Sequence, residues 1–237
     1  MKKTGNIFSF YLVSVLMIYA VEKLQATPST QIWNPSTDIQ AIKTVHLGID
    51  NYFSAANNHT KPLAAPTDLG LTYGLFKNIE IGIDYFGPAT DPLFYNAKYG
   101  IAESQKMMFS VAVGGMNFGG KKDSTDANIL YGVAAKNIGK IGRLSLGYYS
   151  GNAKVLMDET GTSANTGMIA SFDKQISDKV WGALDYASGT SSYGTLSFGA
   201  SYSFAQNTSI IFGYVIYNNQ NLAGINNQLT TQLDINF

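Results

Sequence analysis

The sequence predicts an all-β protein, a transmembrane antiparallel up-and-down β-barrel of about 12 strands. Three observations predict it. Apolar and small or polar residues alternate with a period of two along most of the chain. The joints between the alternating stretches sort into a long set and a short set. Charged residues are only 14 % of the chain, against about 25 % in an ordinary soluble domain. Yet after residue 26 no apolar run approaches the ~20 residues that a spanning helix requires. A spanning strand needs only about 9–11 residues, with apolar side chains at alternate positions, so a barrel reconciles the low charge with the short runs.

The chain begins with an export signature. Lys2 and Lys3 precede a mostly apolar stretch from Ile7 to Val21, and Glu22 to Ala26 is short, polar and ends in a small residue. This is the layout of a secretory signal cleaved after Ala26. Its removal takes away Lys2, Lys3, Lys23 and Glu22, leaving 13 basic and 15 acidic side chains. Such a balance, with Arg143 as the single arginine, argues against a nucleic-acid partner, which needs clustered Lys and Arg. The absence of Cys excludes thiol catalysis, thiolate metal sites and disulfides, and is compatible with export.

The strands follow in order. Val45, Leu47 and Ile49 alternate with His46, Gly48 and Asp50. Leu69, Leu71 and Tyr73 alternate with Asp68, Gly70 and Thr72. Ile79, Ile81, Ile83 and Tyr85 alternate with Glu80, Gly82, Asp84 and Phe86. Leu196, Phe198, Ala200, Tyr202 and Phe204 alternate with Thr195, Ser197, Gly199, Ser201 and Ser203. Continued along the chain, this reading places strands near 43–53, 67–76, 79–86, 93–101, 107–117, 127–136, 143–150, 165–174, 179–187, 194–204, 209–217 and 228–237. The joints 54–66, 87–92, 118–126, 151–164, 188–193 and 218–227 include all the longest ones. The joints 77–78, 102–106, 137–142, 175–178 and 205–208 are tight. Long loops on one side, short turns on the other and an even strand count are the layout of a membrane barrel, whereas a soluble sandwich has no reason to sort its loops.

The two faces point the same way. The second face is Gly, Ser, Thr, Ala and charges, too small and polar to fill a dry core, so the apolar face is assigned to lipid and the small face to the lumen. Aromatics gather at strand ends: Tyr52, Phe53, Tyr85, Phe86, Phe94, Tyr95, Tyr148, Tyr149, Tyr186 and Tyr217 toward the long loops. Phe76, Phe172, Trp181, Phe204 and Phe237 gather toward the short turns. Two aromatic belts are expected at the two membrane interfaces.

The last strand carries a specific motif. Leu229, Thr231, Leu233, Ile235 and Phe237 occupy every second position and finish on an aromatic. This resembles the terminal strand of Gram-negative bacterial outer-membrane β-barrel proteins of the porin kind. The resemblance implies export through the periplasm, recognition by the barrel-assembly machinery and residence among outer-membrane lipid. On it, residues 1–26 are a signal peptide, 27–42 a short periplasmic N-terminal segment and 43–237 the outer-membrane barrel.

Candidate chemistry is sparse. His59 lies in a long loop. His46 is followed by Leu47 and Gly48, without the Ser two residues on that barrel phospholipases carry. No His–Asp couple beside paired acids is visible in the sequence, as barrel proteases would need, so no enzyme is expected. Gly115 to Lys121 has phosphate-loop spacing, but Lys122 stands where Ser or Thr should bind magnesium, and no helix pattern follows. Asp123, Asp126, Asp158 and Glu159 are scattered loop acids, so neither metal nor cofactor is expected. The lumen charges say more. The register points Asp50, Asp68, Glu80, Asp84, Asp173, Asp185 and Asp234 inward, against Lys98, Lys136 and Arg143, with His46 on the same face. Seven acids facing three bases favour cations in a water-filled passage. Inward glycines (Gly48, Gly70, Gly74, Gly82, Gly100, Gly114, Gly132, Gly147, Gly199 and Gly213) leave room for water. The expectation is a passive channel for small hydrophilic solutes with a mild cation preference. The alternatives are a plugged barrel that presents its loops to a partner and a lipid-acting barrel enzyme.

Overall fold

The computed structural model of the chain describes residues 29–55 and 63–237. The expected signal at 1–26 and His59 lie outside the described residues. Twelve antiparallel strands form one closed barrel, each paired with its neighbours in sequence and the last with the first. They are β1 Val45–Ser54, β2 Thr67–Phe76, β3 Ile79–Gly87, β4 Leu93–Ile101, β5 Ser110–Gly119, β6 Asp126–Asn137, β7 Arg143–Ser150, β8 Thr166–Ser177, β9 Val180–Ala187, β10 Thr195–Ala205, β11 Thr208–Tyr217 and β12 Gln228–Asn236. Closure leaves no unpaired edge, the condition for crossing lipid with strands.

The outside is apolar. Leu71, Ile83, Tyr95, Val113, Leu146, Met168, Leu184, Phe198, Phe212 and Leu229 all point outward and are exposed, Phe212 by 60 %. A soluble protein rarely exposes apolar patches beyond a few hundred Å², so this wall is built to face lipid. The expected outer belts are present only in part. Phe53, Tyr85, Tyr95, Tyr148 and Tyr186 are exposed near the long loops, and Phe76, Phe172, Phe204 and Phe237 near the short turns. Trp181, Tyr149 and Tyr217 are instead buried inside the barrel. The ring of Tyr52 also lies inside, edge-on to Trp33, and Phe86 and Phe94 line the lumen cavity.

That inversion has a physical cause. Half of the inner wall is apolar: Ala112, Ile129, Tyr131, Val133, Tyr149, Ile169 and Ala187 form a core with Leu156 and Tyr193, which fold in from the loops. Trp181 and Ile211 form a second core with Ile32. An apolar inner wall needs a cover, and residues 29–42 supply it. The segment expected as periplasmic runs inside the barrel. Ile32 is buried against Trp181 and Ile211, and Thr37 meets Ser110 on β5 at 2.8 Å. The segment passes so close to the wall that a Cβ at Gly74 would fall 2.0 Å from the Ala41 carbonyl oxygen, and one at Gly100 would fall 2.9 Å from Ile39. Several inward glycines therefore make room for peptide rather than for water. Gly48, Gly70 and Gly82 do line open space.

Candidate functional site: the lumen

The functional region is built from the inward positions of the strands together with the segment that crosses between them. Near the short-turn end the wall charges are paired. Lys98 on β4 donates from Nζ to Glu80 Oε1 on β3 at 3.1 Å and to the Ser29 carbonyl at 3.2 Å. Glu80 also accepts from Ser29 Oγ at 2.9 Å and from the Gln40 N–H at 2.6 Å, so one wall carboxylate holds both ends of the inserted segment. Arg143 on β7 bridges Asp173 on β8 at 2.8 Å and Asp38 of the segment at 2.7 Å. Gln31 and Trp181 complete the partners of Asp173, at 2.9 and 3.2 Å. His46 on β1 faces Asp234 on β12 at 3.4 Å and Asn236 at 3.3 Å.

Asp185 on β9 holds the tip of the segment. Its Oδ2 accepts three consecutive backbone N–H groups, from Ile32 and Trp33 at 2.8 Å and from Asn34 at 3.2 Å. Successive amides converging on one anion form a nest, here with the protein's own carboxylate as the anion. The tip is tight enough to do this because Gln31 and Asn34 share a backbone hydrogen bond and Thr30 bridges Pro35. Asn34 Nδ2 then donates to the Tyr186 carbonyl at 3.0 Å, and Gln232 Nε2 donates to the Ile32 carbonyl at 3.0 Å.

Beside the segment a cavity of about 570 Å³ remains along β1–β4. Its lining runs from Asp68 and Gln228 near the long loops to His46, Glu80 and Lys98 near the short turns. From Tyr52 to His46 that is about 20 Å of strand. Asp50, Asp68 and Asp84 stand on its β1–β3 wall. Asp50 is the direct cross-strand partner of Asp68, and Asp84 accepts a hydrogen bond from Asn96. Among the described residues no Lys, Arg or His lies within ion-pair distance of these three carboxylates. The opposite side is aromatic and apolar, with Ile32, Trp33, Tyr131, Tyr193 and Tyr217. Trp33 stands edge-on to Tyr52 and to Tyr217, with centroids 6.0 Å apart in each case. Burial among Tyr131 and Tyr149 pushes the Tyr193 phenol well above its ordinary pKa, so it is a neutral hydroxyl.

The structure departs from the expected register in one strand. Lys136 on β6 pairs across with the exposed Leu144, and Gly132 with Tyr148, so both face outward. Lys136 pairs with Glu103 in the β4–β5 joint and lies over the Phe109 ring, 5.7 Å from its centroid. Both faces of β6 are largely apolar, so its alternation does not mark the inward side; Ile129, Tyr131 and Val133 face inward because the segment and loops cover them. The strand that ends the chain keeps Leu229, Thr231, Leu233, Ile235 and Phe237 on the outward set, with Leu229 and Phe237 exposed. A His–Asp couple does exist, His46 with Asp234. The hydroxyl beside it, Ser209, donates to Asp234 at 3.4 Å. Residues 29–42 carry no charge pattern or strand alternation that would have marked them as lumen residues.

The fold and its faces define a class: a transmembrane 12-stranded antiparallel barrel with a partly filled, unevenly charged lumen. No protein-family model and no curated protein matches the chain. Among solved structures it is similar to the NanC porin at 12 % identity, over 80 % of this chain and 97 % of that one, with a TM-score of 0.54. It is also similar to the KdgM porin at 11 % identity, over 82 % and 98 % of the two chains, with a TM-score of 0.50. At these identities the likeness is one of fold.

Proposed function

We propose that the chain is a bacterial outer-membrane channel for small hydrophilic solutes with a mild preference for cations. The observation that supports it is the cavity along β1–β4, which follows the wall for most of its height and is lined by carboxylates, glycines and Thr72. The fold shared with porins fits this reading. Export through the periplasm, insertion by the assembly machinery and contact with outer-membrane lipid belong to the same proposal. So does the role of Leu229, Thr231, Leu233, Ile235 and Phe237 as an assembly signal. The cation preference follows from uneven neutralisation. Lys98 and Arg143 are each tied to carboxylates, and Lys136 is outside, whereas Asp50, Asp68 and Asp84 face open space without a base among the described residues. Charged rings select in this way at close quarters.

Planar-bilayer recording with a potassium chloride gradient tests it. The reversal potential should have the sign of cation selectivity and shrink with added salt, because the Debye length falls from about 10 Å at 0.1 M to about 3 Å at 1 M. Asp50→Asn with Asp68→Asn should reduce it. An anion-selective pore refutes the charge argument. The second reading, a closed interaction barrel, is favoured by the inserted segment at 29–42, and a barrel that folds but stays electrically silent would establish it in place of the channel.

A further inference from the structure

The cavity combines two features that a simple water-filled passage does not need. The first is a like-charge pair. Asp50 and Asp68 are direct cross-strand partners, a placement that is destabilising for like charges, and Oδ1 of each is buried without a hydrogen-bond partner among the described residues. The second is a group of aromatic rings next to them. Trp33, Tyr52 and Tyr217 form an edge-to-face group beside Asp50, Tyr52 lying two residues along the same face of β1. Tyr193, only 5 % exposed, lines the same cavity, and its hydroxyl also has no partner among the described residues. Carboxylates would serve a potassium ion without any aromatic rings. Rings with carboxylates suit a cation that has an apolar body, because a ring face attracts positive charge and offers area for burial at once. The volume of about 570 Å³ falls in the range of about 300–1,000 Å³ typical of small-molecule sites.

We propose that this cavity is a binding site for organic cations, with an ammonium or guanidinium group against Asp50 and Asp68 and an apolar body against Trp33, Tyr52 and Tyr217. The assignment builds on the channel reading by naming the class of solute that the passage holds. The cation relieves the Asp50–Asp68 repulsion, and its apolar part covers the aromatic wall. The neutral Tyr193 hydroxyl adds one hydrogen-bond donor or acceptor for a polar substituent.

The test uses the full mature protein folded in detergent, with folding checked by the gel shift between unheated and boiled samples. Benzyltrimethylammonium, tetramethylammonium, benzyl alcohol and benzoate are titrated separately by calorimetry. Benzyltrimethylammonium should bind saturably, and the other three should bind about tenfold more weakly or worse. Asp50→Asn and, separately, Trp33→Leu should each weaken it by about tenfold. In a bilayer, the same cation should block the potassium current with the affinity found by calorimetry. Equal binding of tetramethylammonium would overturn the role of the apolar body, unchanged binding to Trp33→Leu would overturn the aromatic role, and equal binding of benzoate would overturn the carboxylate role. A conducting barrel without binding or block defeats this proposal and leaves the channel standing. Saturable binding by a silent barrel defeats the channel and leaves the site.

Discussion

Asp185 gives the sharpest perturbation of the inserted segment. One of its oxygens takes the N–H groups of Ile32, Trp33 and Asn34, two of them at 2.8 Å. Hydrogen bonds to a charged acceptor contribute about 1.5–3 kcal/mol each, so the three together amount to about 4–9 kcal/mol. Against this stands the desolvation of a buried carboxylate with no ion-pair partner among the described residues, which costs several kcal/mol. The net hold on the tip is therefore about 2–4 kcal/mol, or about 30- to 900-fold in the ratio of docked to released segment. Asp185→Ala removes the acceptor and leaves three amides unsatisfied, at a site where Ile32 is 1 % exposed. In single-channel recordings the variant should show larger or more frequent open events than the wild type. Asp185→Asn, which keeps a neutral acceptor, should fall between them. The chain has no Cys, so a lock can be built without interference. Ile39 lies against the position of a Cβ at Gly100, and Ile39→Cys with Gly100→Cys should, when oxidised, return the Asp185→Ala variant to wild-type traces. Unchanged conductance in a correctly folded Asp185→Ala variant would refute the argument that this carboxylate keeps the segment in the lumen.

Three further outcomes follow from the two faces and the rim. Phe212→Arg puts a charge on the lipid face and should lower the folded fraction in lipid titrations by about 2–4 kcal/mol. Gly48→Arg should fold normally, because a Cβ there meets His46 and Asp50 only at ordinary contact distance, and it should reduce cation selectivity. At the rim, the Lys136 ammonium first, and then the Asn137 N–H and side-chain amide, hold the Glu103 carboxyl down at about 2. A depressed carboxyl stabilises the fold above its unfolded value and loses that contribution as pH falls toward the folded value. The thermal midpoint of Glu103→Gln should thus drop less than that of the wild type between pH 6 and pH 2, and equal drops would show that the pair contributes nothing.

Much of the barrel was legible because lipid imposes a simple rule on every strand. Where one face is large and apolar and the other small or charged, as in Ile79–Gly87, the register read from sequence places Glu80 and Asp84 where the structure has them, against the cavity. The rule fails where the inside is apolar as well. On β6 the inward set is Ile129, Tyr131, Val133 and Ala135, and nothing in the strand distinguishes it from an outward set. Trp181 and Tyr217 looked like interface aromatics for the same reason, since strand position alone does not tell a lipid belt from a core. The cause of the apolar interior is not local. It lies in residues 29–42 and in Leu156 and Tyr193, which come from outside these strands, and the segment reaches Asp173, Asp185 and Gln232 at separations of 142, 153 and 200 residues. The pairing of Asp50 with Asp68 is likewise a matter of register between strands, which alternation within each strand does not reveal.

The unequal halves of the inner wall bear on how the barrel works. The half around β6–β11 cannot be left open to water, because Tyr149, Ile169, Trp181 and Ile211 would then be exposed in the lumen; the segment and loops bury them as any core would. The half around β1–β4 carries Gly48, Gly70, Gly82 and three carboxylates, and the segment touches it mainly at Gly74, Gly100 and the Glu80–Lys98 pair. Filling one half defines the cross-section left in the other. Residues 29–42 are thus a wall of the passage as much as an obstruction in it: Ile32 and Trp33 face the cavity from the filled side while Asp185 holds their amides from behind. A barrel that loses the segment would gain diameter but lose Trp33, the ring that stands between Tyr52 and Tyr217. Asp185→Ala should therefore raise conductance and weaken benzyltrimethylammonium block in the same protein. A variant that conducts more while keeping full block would separate the segment from the site and place the aromatic contact on Tyr52 and Tyr217 alone.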